Sequence, residues 1–202
     1  GTVDMQRMRR VASKFVGRWP NGATLALAPD RDDQVAANFN EFLYMERDPK
    51  GFGCPYSSHV RRSNPRDSFI GDKVDDSISN ANQHRIVRRG SVYGSSLVTP
   101  EMTEGDNAPV DLPADNEQRG LHFFCVNTDI RRQFEFIQQG WCNNPKFNGL
   151  YNDKDPIIGD NDGYGFVTLE EDAVRERLRQ LPRFVTVRAG AYFFMPSLSA
   201  LR

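Results

Sequence analysis

The chain has 202 residues, and Lys+Arg of 26 against Asp+Glu of 27 leave a net charge of −1. That balance argues against a nucleic-acid binder or a protein held on anionic membranes, and no apolar run approaches the roughly 18–20 residues of a membrane span. A hydrophobic content of 38% and a mean hydropathy of −0.62 fit a loop-rich globular chain with one sizeable core or two small lobes.

The cysteines are Cys54, Cys125 and Cys142. An odd number without CxxC spacing argues against a disulfide framework and against a zinc site. It tilts the expected compartment toward a reducing one, such as the cytoplasm, and leaves export open. Only His59, His84 and His122 can supply imidazole. The chain starts at Gly1 without a signal-type apolar segment, as expected of a mature product or a piece of a longer precursor.

Residues 4–16 read as a basic amphipathic helix. Met5, Met8, Ala12, Phe15 and Val16 fall on one stripe, expected to pack on the core. Gly17-Arg18-Trp19-Pro20-Asn21-Gly22 breaks it into a turn. Residues 30–33 lack the spacing of a calcium loop and read as a solvated turn or helix cap. Residues 38–44 bring aromatics to the core, and 48–53 turn again. Residues 99–119 form a proline-interrupted acidic connection, expected as a surface loop or flap.

Gly120–Asn127 is the clearest strand. Both its alternating faces are apolar, which predicts a central strand buried on two sides. Leu121, Phe123 and Cys125 share one face. A helix follows from about Asp129 to Trp141, with Ile130, Phe134, Ile137 and Trp141 inward; Asn143-Asn144-Pro145 stops it. Thr168 to Glu171 matches a capping box and predicts a helix to about Gln180. Residues 183–188 and 191–195 read as strands. The mixture predicts an α+β fold with a ferredoxin-like antiparallel sheet and helices. Residues 1–52 are expected as an N-terminal helix and lead-in, and 53–202 as the domain that carries the site.

Chemistry concentrates between Cys54 and Gly90. His59 sits among loop-forming residues, ahead of a short apolar strand bearing Arg88 and Arg89. A chain so poor in His suits a metal centre that needs one strong protein ligand, as haem iron does. Such a ligand needs a partner on its other ring nitrogen. Asp129, Glu135 and the carboxylates between Asp153 and Asp162 all qualify. Arg61, Arg62 and Arg66 suit anionic groups such as haem propionates, or else ordinary surface ion pairs. Arg88 and Arg89 point to opposite faces of their strand, so one can enter a pocket.

The segments GCPYSSHVRRSNPRD, HRIVRRG, GLHFFCVN, FEFIQQGW and LPRFVTVRAGAYFFMPS together resemble the C-terminal half of long-chain dye-decolourising peroxidases. The resemblance implies a ferredoxin-like α+β fold and haem b. It also implies hydrogen peroxide as oxidant, with dyes, phenolics or other bulky aromatic reductants as electron donors. It maps the proximal ligand onto His59, the catalytic distal arginine onto Arg88 and an apolar distal pair onto Leu121 and Phe123; of the arginines beside His59, Arg61 is the one expected to contact the cofactor. It also implies a distal Asp in a GxxDG motif well before the proximal His. Nothing before His59 has that pattern. A literal match at Gly159–Gly163 lies too late in the chain, in a turn-rich loop, and reads as a turn. A complementary N-terminal chain carrying that Asp is therefore an expected partner, with a homo-oligomer also compatible. Trp141, Tyr44, Tyr93 and Tyr164 are candidates for relaying electrons from reductants too large for the pocket; for Trp141 core packing is the favoured reading. The alternative function is a non-catalytic haem-binding or assembly subunit.

Overall fold

The computed structural model describes residues 4–30, 40–97, 115–172 and 174–201. The turn expected beyond Asp30 and most of the acidic connection over 99–119 lie outside them. Helix α1, Met5–Val16, starts where the Asp4 carboxylate accepts a hydrogen bond from the Arg7 N–H at 3.0 Å. It ends at Gly17, whose φ of 97° a side-chain-bearing residue adopts only with strain. The helix is as expected; the covering of its apolar stripe is not. Ser13 and Lys14 are buried, with Lys14 paired to Glu171 at 3.1 Å, while Met8, Ala12 and Val16 are exposed.

The chain then folds back on itself. Trp19, Ala23, Leu25, Ala26, Ala28, Phe42, Tyr44 and Cys54 form a core cluster with Val60 against it. Residues before and after position 52 thus share one interior. Short helices α2, Tyr44–Arg47, and α3, His59–Ser63, flank a loop whose residues 53–58 are all buried. Helix α4 is Val74–Gln83.

Strands β1, Val87–Tyr93, and β2, Gly120–Val126, pair antiparallel, with Arg88 opposite Cys125, Gly90 opposite Phe123 and Val92 opposite Leu121. The strand at 120–126 is where the apolar pattern puts it. The expected two-sided burial is not met: β1 is exposed throughout, and β2 is exposed over Leu121–Phe124 and half-buried at its ends. Two π-helical segments, Arg131–Glu135 and Ile137–Cys142, join through Phe136 into helix α5. Its inward side chains Ile137 and Trp141 pack with Tyr56, Cys142, Phe147 and Leu150 in a second cluster.

The helix expected after Thr168 is corrected to a hairpin, β3 Gly165–Leu169 with β4 Glu176–Leu181. Both residues of the capping box are engaged elsewhere. The Thr168 hydroxyl donates to Asp153 Oδ2 at 2.6 Å, and Glu171 takes the Lys14 ammonium. Those long-range partners outweigh a local cap contribution of about 1 kcal/mol. Residues 182–197, expected to hold two strands, have no helix, strand or turn. The class is α+β as expected, with its antiparallel pairing divided between two separate two-stranded ladders.

Candidate functional site

Helix α3 is held from both sides. The Asp48 carboxylate accepts from the N–H groups of Gly53 and Cys54 at 3.1 and 2.7 Å, and the Ser57 hydroxyl donates to the Thr168 carbonyl at 2.7 Å. These bonds fix where His59 begins the helix. Its Nδ1 lies 2.9 Å from Asp155 Oδ2. Asp155 is fully buried, and its Oδ1 accepts from the N–H groups of Ile157 and Ile158 at 2.9 and 3.0 Å. Its own N–H donates to the Cys142 carbonyl at 2.7 Å, which ties it to the end of α5.

Burial by itself would push the Asp155 carboxyl up. The charge and hydrogen bond of His59, with the two backbone N–H groups, outweigh it and hold the carboxyl below its ordinary value. The carboxylate is therefore ionised, so the proton shared across this contact sits on Nδ1. The His59 side chain is 29% exposed, so one ring edge is accessible while the other is locked.

The late GxxDG match has a structural role. The Gly159 N–H donates to the Asp155 carbonyl at 3.0 Å, and a Cβ at Gly159 would lie 2.3 Å from that oxygen. Only glycine lets the loop close over Asp155. Asp162 accepts from the Tyr164 N–H at 3.2 Å, and Asp160 pairs with Arg183 at 3.5 Å. Both are turn residues.

The three arginines expected near His59 separate. Arg62 is fully buried and donates to the carbonyls of Trp141, Asp153 and Asn144, so it caps the C-terminal end of α5. Arg61 is also fully buried. Its Nη1 donates to the Cys54 carbonyl at 2.7 Å, its Nε to Ser68 at 3.2 Å, and its guanidinium lies between the rings of Tyr44 and Tyr56. Arg61, expected to contact a cofactor, is thus enclosed by protein, with its Nη2 lacking a hydrogen-bond partner among the described residues.

Arg66 stays within reach of the surface, over the Phe42 ring at 4.1 Å, and Arg18 lies over the same ring at 4.6 Å. Burial lowers both guanidinium pKa values, opposed by Tyr44. Arg88 adds to the lowering at Arg18, and Arg85 and Arg18 add to it at Arg66. Among the described residues neither Arg18 nor Arg66 has a carboxylate partner: they donate to Gly22 O and Asn40, and to Asn64 O. Arg18 escapes sequence reasoning because its motif, Gly17-Arg18-Trp19-Pro20, has the composition of an ordinary turn.

Arg88 lies on the sheet face that also carries Leu121, Phe123 and Cys125, because residues directly opposite in an antiparallel pair share a face. Phe123 meets Phe134 of α5 at 6.2 Å between centroids. No hydrogen bond or ion pair joins this group to His59 among the described residues. Trp141 is buried against Phe69, His84 and Phe136, in line with core packing. Tyr44 is buried, and Tyr93 and Tyr164 are exposed.

Fold and site together define an α+β protein built around a carboxylate-backed histidine. No family model matches the chain. It is 34% identical over 202 residues to the multifunctional dye peroxidase DyP2 of Amycolatopsis sp., a match covering 96% of this chain and 41% of that protein. It is 31% identical to the dye-decolorizing peroxidase AauDyP1 of Auricularia auricula-judae, covering 95% and 38%. Among solved structures, a triple mutant of the Auricularia enzyme superposes with a TM-score of 0.70 at 28% identity, covering 92% of this chain and 43% of that one. DyP2 from Amycolatopsis gives 0.67 at 27%, covering 90% and 38%. Over nearly its whole length the chain is homologous to dye-decolorizing peroxidases. It spans about two fifths of the length of the relatives it matches. Among the described residues no helix is long and apolar enough to cross a membrane.

Proposed function

We propose that this chain is the histidine-bearing part of a haem peroxidase that uses hydrogen peroxide to oxidise dyes, phenolics or other bulky aromatic reductants. The observation that carries the reading is the His59–Asp155 pair. It holds the ring through Nδ1 and leaves Nε2 without a hydrogen-bond partner among the described residues, which suits a protein ligand to haem iron. One structural neighbour is described by the engineering of its heme pocket. The basic pair Arg18 and Arg66, free of carboxylate partners among the described residues, suits the two acid groups of a porphyrin. The residues present therefore fit the group. Bound there, haem would supply the electron chemistry of peroxide reduction.

This chain's own residues have defined tasks. His59 would hold the metal, and ionised Asp155 keeps its ring oriented. Arg88 would present a positive charge to a peroxide anion on its sheet face. Leu121 and Phe123, on the same sheet face, would border that charge with apolar surface. The proton falls to an Asp on the N-terminal portion of the enzyme, on a separate chain or an upstream stretch of the same one.

The test is the absorption spectrum of a preparation that contains the N-terminal portion. A Soret band that His59→Ala abolishes, and that changes on adding peroxide, is expected. No haem and no peroxide response would overturn the reading. The sequence before His59 lacks GxxDG, and this favours one rival, a haem-binding subunit without turnover. That rival predicts a His59-dependent Soret band unmoved by peroxide.

A further inference from the structure

The three cysteines have different neighbours. Cys125 of β2 is half-buried and accepts from the Asn127 amide at 3.3 Å. Cys54 is buried with its sulfur 3.1 Å from the Ser58 hydroxyl. Cys142 is fully buried at the C-terminal end of α5, and its thiol faces the carboxylate that stands behind His59.

The chain path makes that contact. Asn143-Asn144-Pro145 stops α5, and the chain returns so that the Asp155 N–H donates to the Cys142 carbonyl at 2.7 Å. The backbone bond sets the two side chains together, out of water. Burial pushes the Cys142 thiol well above its ordinary pKa; the charge of Asp155 and its hydrogen bond to the thiol push the same way, against Arg62. The sulfur therefore keeps its proton at neutral pH and acts as a donor. A carboxylate offers about four acceptor positions. At Asp155 the N–H groups of Ile157 and Ile158 occupy Oδ1, and His59 Nδ1 takes one position on Oδ2. The thiol is a fourth donor beside these three.

Donors to one carboxylate share its negative charge. A carboxylate behind a metal-ligating histidine raises the basicity of the ring, and a further donor to that carboxylate draws part of the effect away. A thiol is a weak donor and draws little. A methyl group draws nothing, and a hydroxyl draws more. We propose that Cys142 is a positioning residue of the axial site: its thiol donates to Asp155 and limits how much of the carboxylate's charge reaches His59, so the side chain at 142 sets the electron donation of His59 to iron. This rests on reading His59 as the ligand to haem iron.

Two measurements test it, both on the protein assembled with its N-terminal portion. The first is the ferric–ferrous midpoint potential of the haem-loaded protein. Cys142→Ala should lower it, shifting the reduction equilibrium toward ferric by about threefold or more, and Cys142→Ser should raise it. Both replacements are smaller than cysteine, so lost packing against Ile137, Trp141 and Phe147 moves both the same way. Potentials that move together, or not at all, overturn the proposal. The second measurement needs no haem. The infrared S–H stretching band that Cys142→Ala removes should move to higher frequency in Asp155→Asn, where the acceptor has lost its charge. A band indifferent to Asp155→Asn overturns the proposal, because the thiol is then not bonded to the carboxylate. A band that responds in a protein without haem keeps the thiol–carboxylate bond and overturns the reading of His59 as a haem ligand, and the tuning role with it.

Discussion

Two regions of this molecule invert the usual rule of burial. Around α3 the interior is charged: Arg61, Arg62, Asp153, Asp155 and Glu170 are buried. Along β1, β2 and residues 184–195 the exterior is apolar. Most of the first region's charges find partners close at hand, carbonyls for Arg62 and backbone N–H groups for Asp155, whereas Arg61 Nη2 and the Glu170 carboxyl oxygens have no hydrogen-bond partner among the described residues. The second finds no cover within the described residues. The difference separates what this chain completes by itself from what it presents to something else.

Substitutions should report the same division. Arg62→Ala strips partners from two buried carbonyls and a half-buried one and should cost about 3–5 kcal/mol in urea unfolding. A loss below about 1 kcal/mol would mean that water replaces the guanidinium and that the first region is less closed than described.

Glu170 should make stability depend on pH. Burial, opposed by backbone hydrogen bonding and by Arg175 and Arg61, raises its carboxyl from 4.5 to about 7. Between those values the folded chain keeps a proton that the unfolded chain has lost. Stability therefore falls as pH rises through that window, by about 3 kcal/mol, and stays low above it. Glu170→Gln should remove the slope when unfolding midpoints at about pH 4.5 and about pH 8 are compared.

Asp155 has the opposite sign. Its folded pKa lies below the unfolded value of 3.8, so its stabilisation is present above that value and lost as pH falls through the folded pKa. Asp155→Asn should cost about 1–3 kcal/mol at neutral pH and flatten the acid limb of the stability curve. An unchanged acid limb would show that His59 and Asp155 are not charge-coupled. The smallest effect belongs to the open region. Phe193→Ser should change the stability of this chain by less than about 0.5 kcal/mol. A larger loss would mean that the aromatic already has cover.

Periodicity was sufficient for α1, β1, β2 and α5, because their apolar spacing and caps are local: Asp4 before α1 and the Asn143-Asn144-Pro145 stop after α5. It failed at 168–181, where Thr168 and Glu171 serve Asp153 and Lys14 instead of a helix end. At the site, His59 and the arginine-rich stretch were visible as unusual residue types among turn formers. The choice of Asp155 over Asp129, Glu135 or the other carboxylates nearby was not, since 96 residues separate it from His59.

By itself the sequence determined the residue types and their order: one histidine in a loop-rich stretch, arginines after it, apolar strands and helices at recognisable periods. Tertiary structure decided which of these meet. It enclosed Arg61 and Arg62 as internal braces, left Arg18 and Arg66 on one phenylalanine ring, and set a fully buried carboxylate behind His59. The physical reason is that helix and strand signals act over a few residues, whereas satisfying a buried charge depends on whatever the fold brings within 3 Å of it.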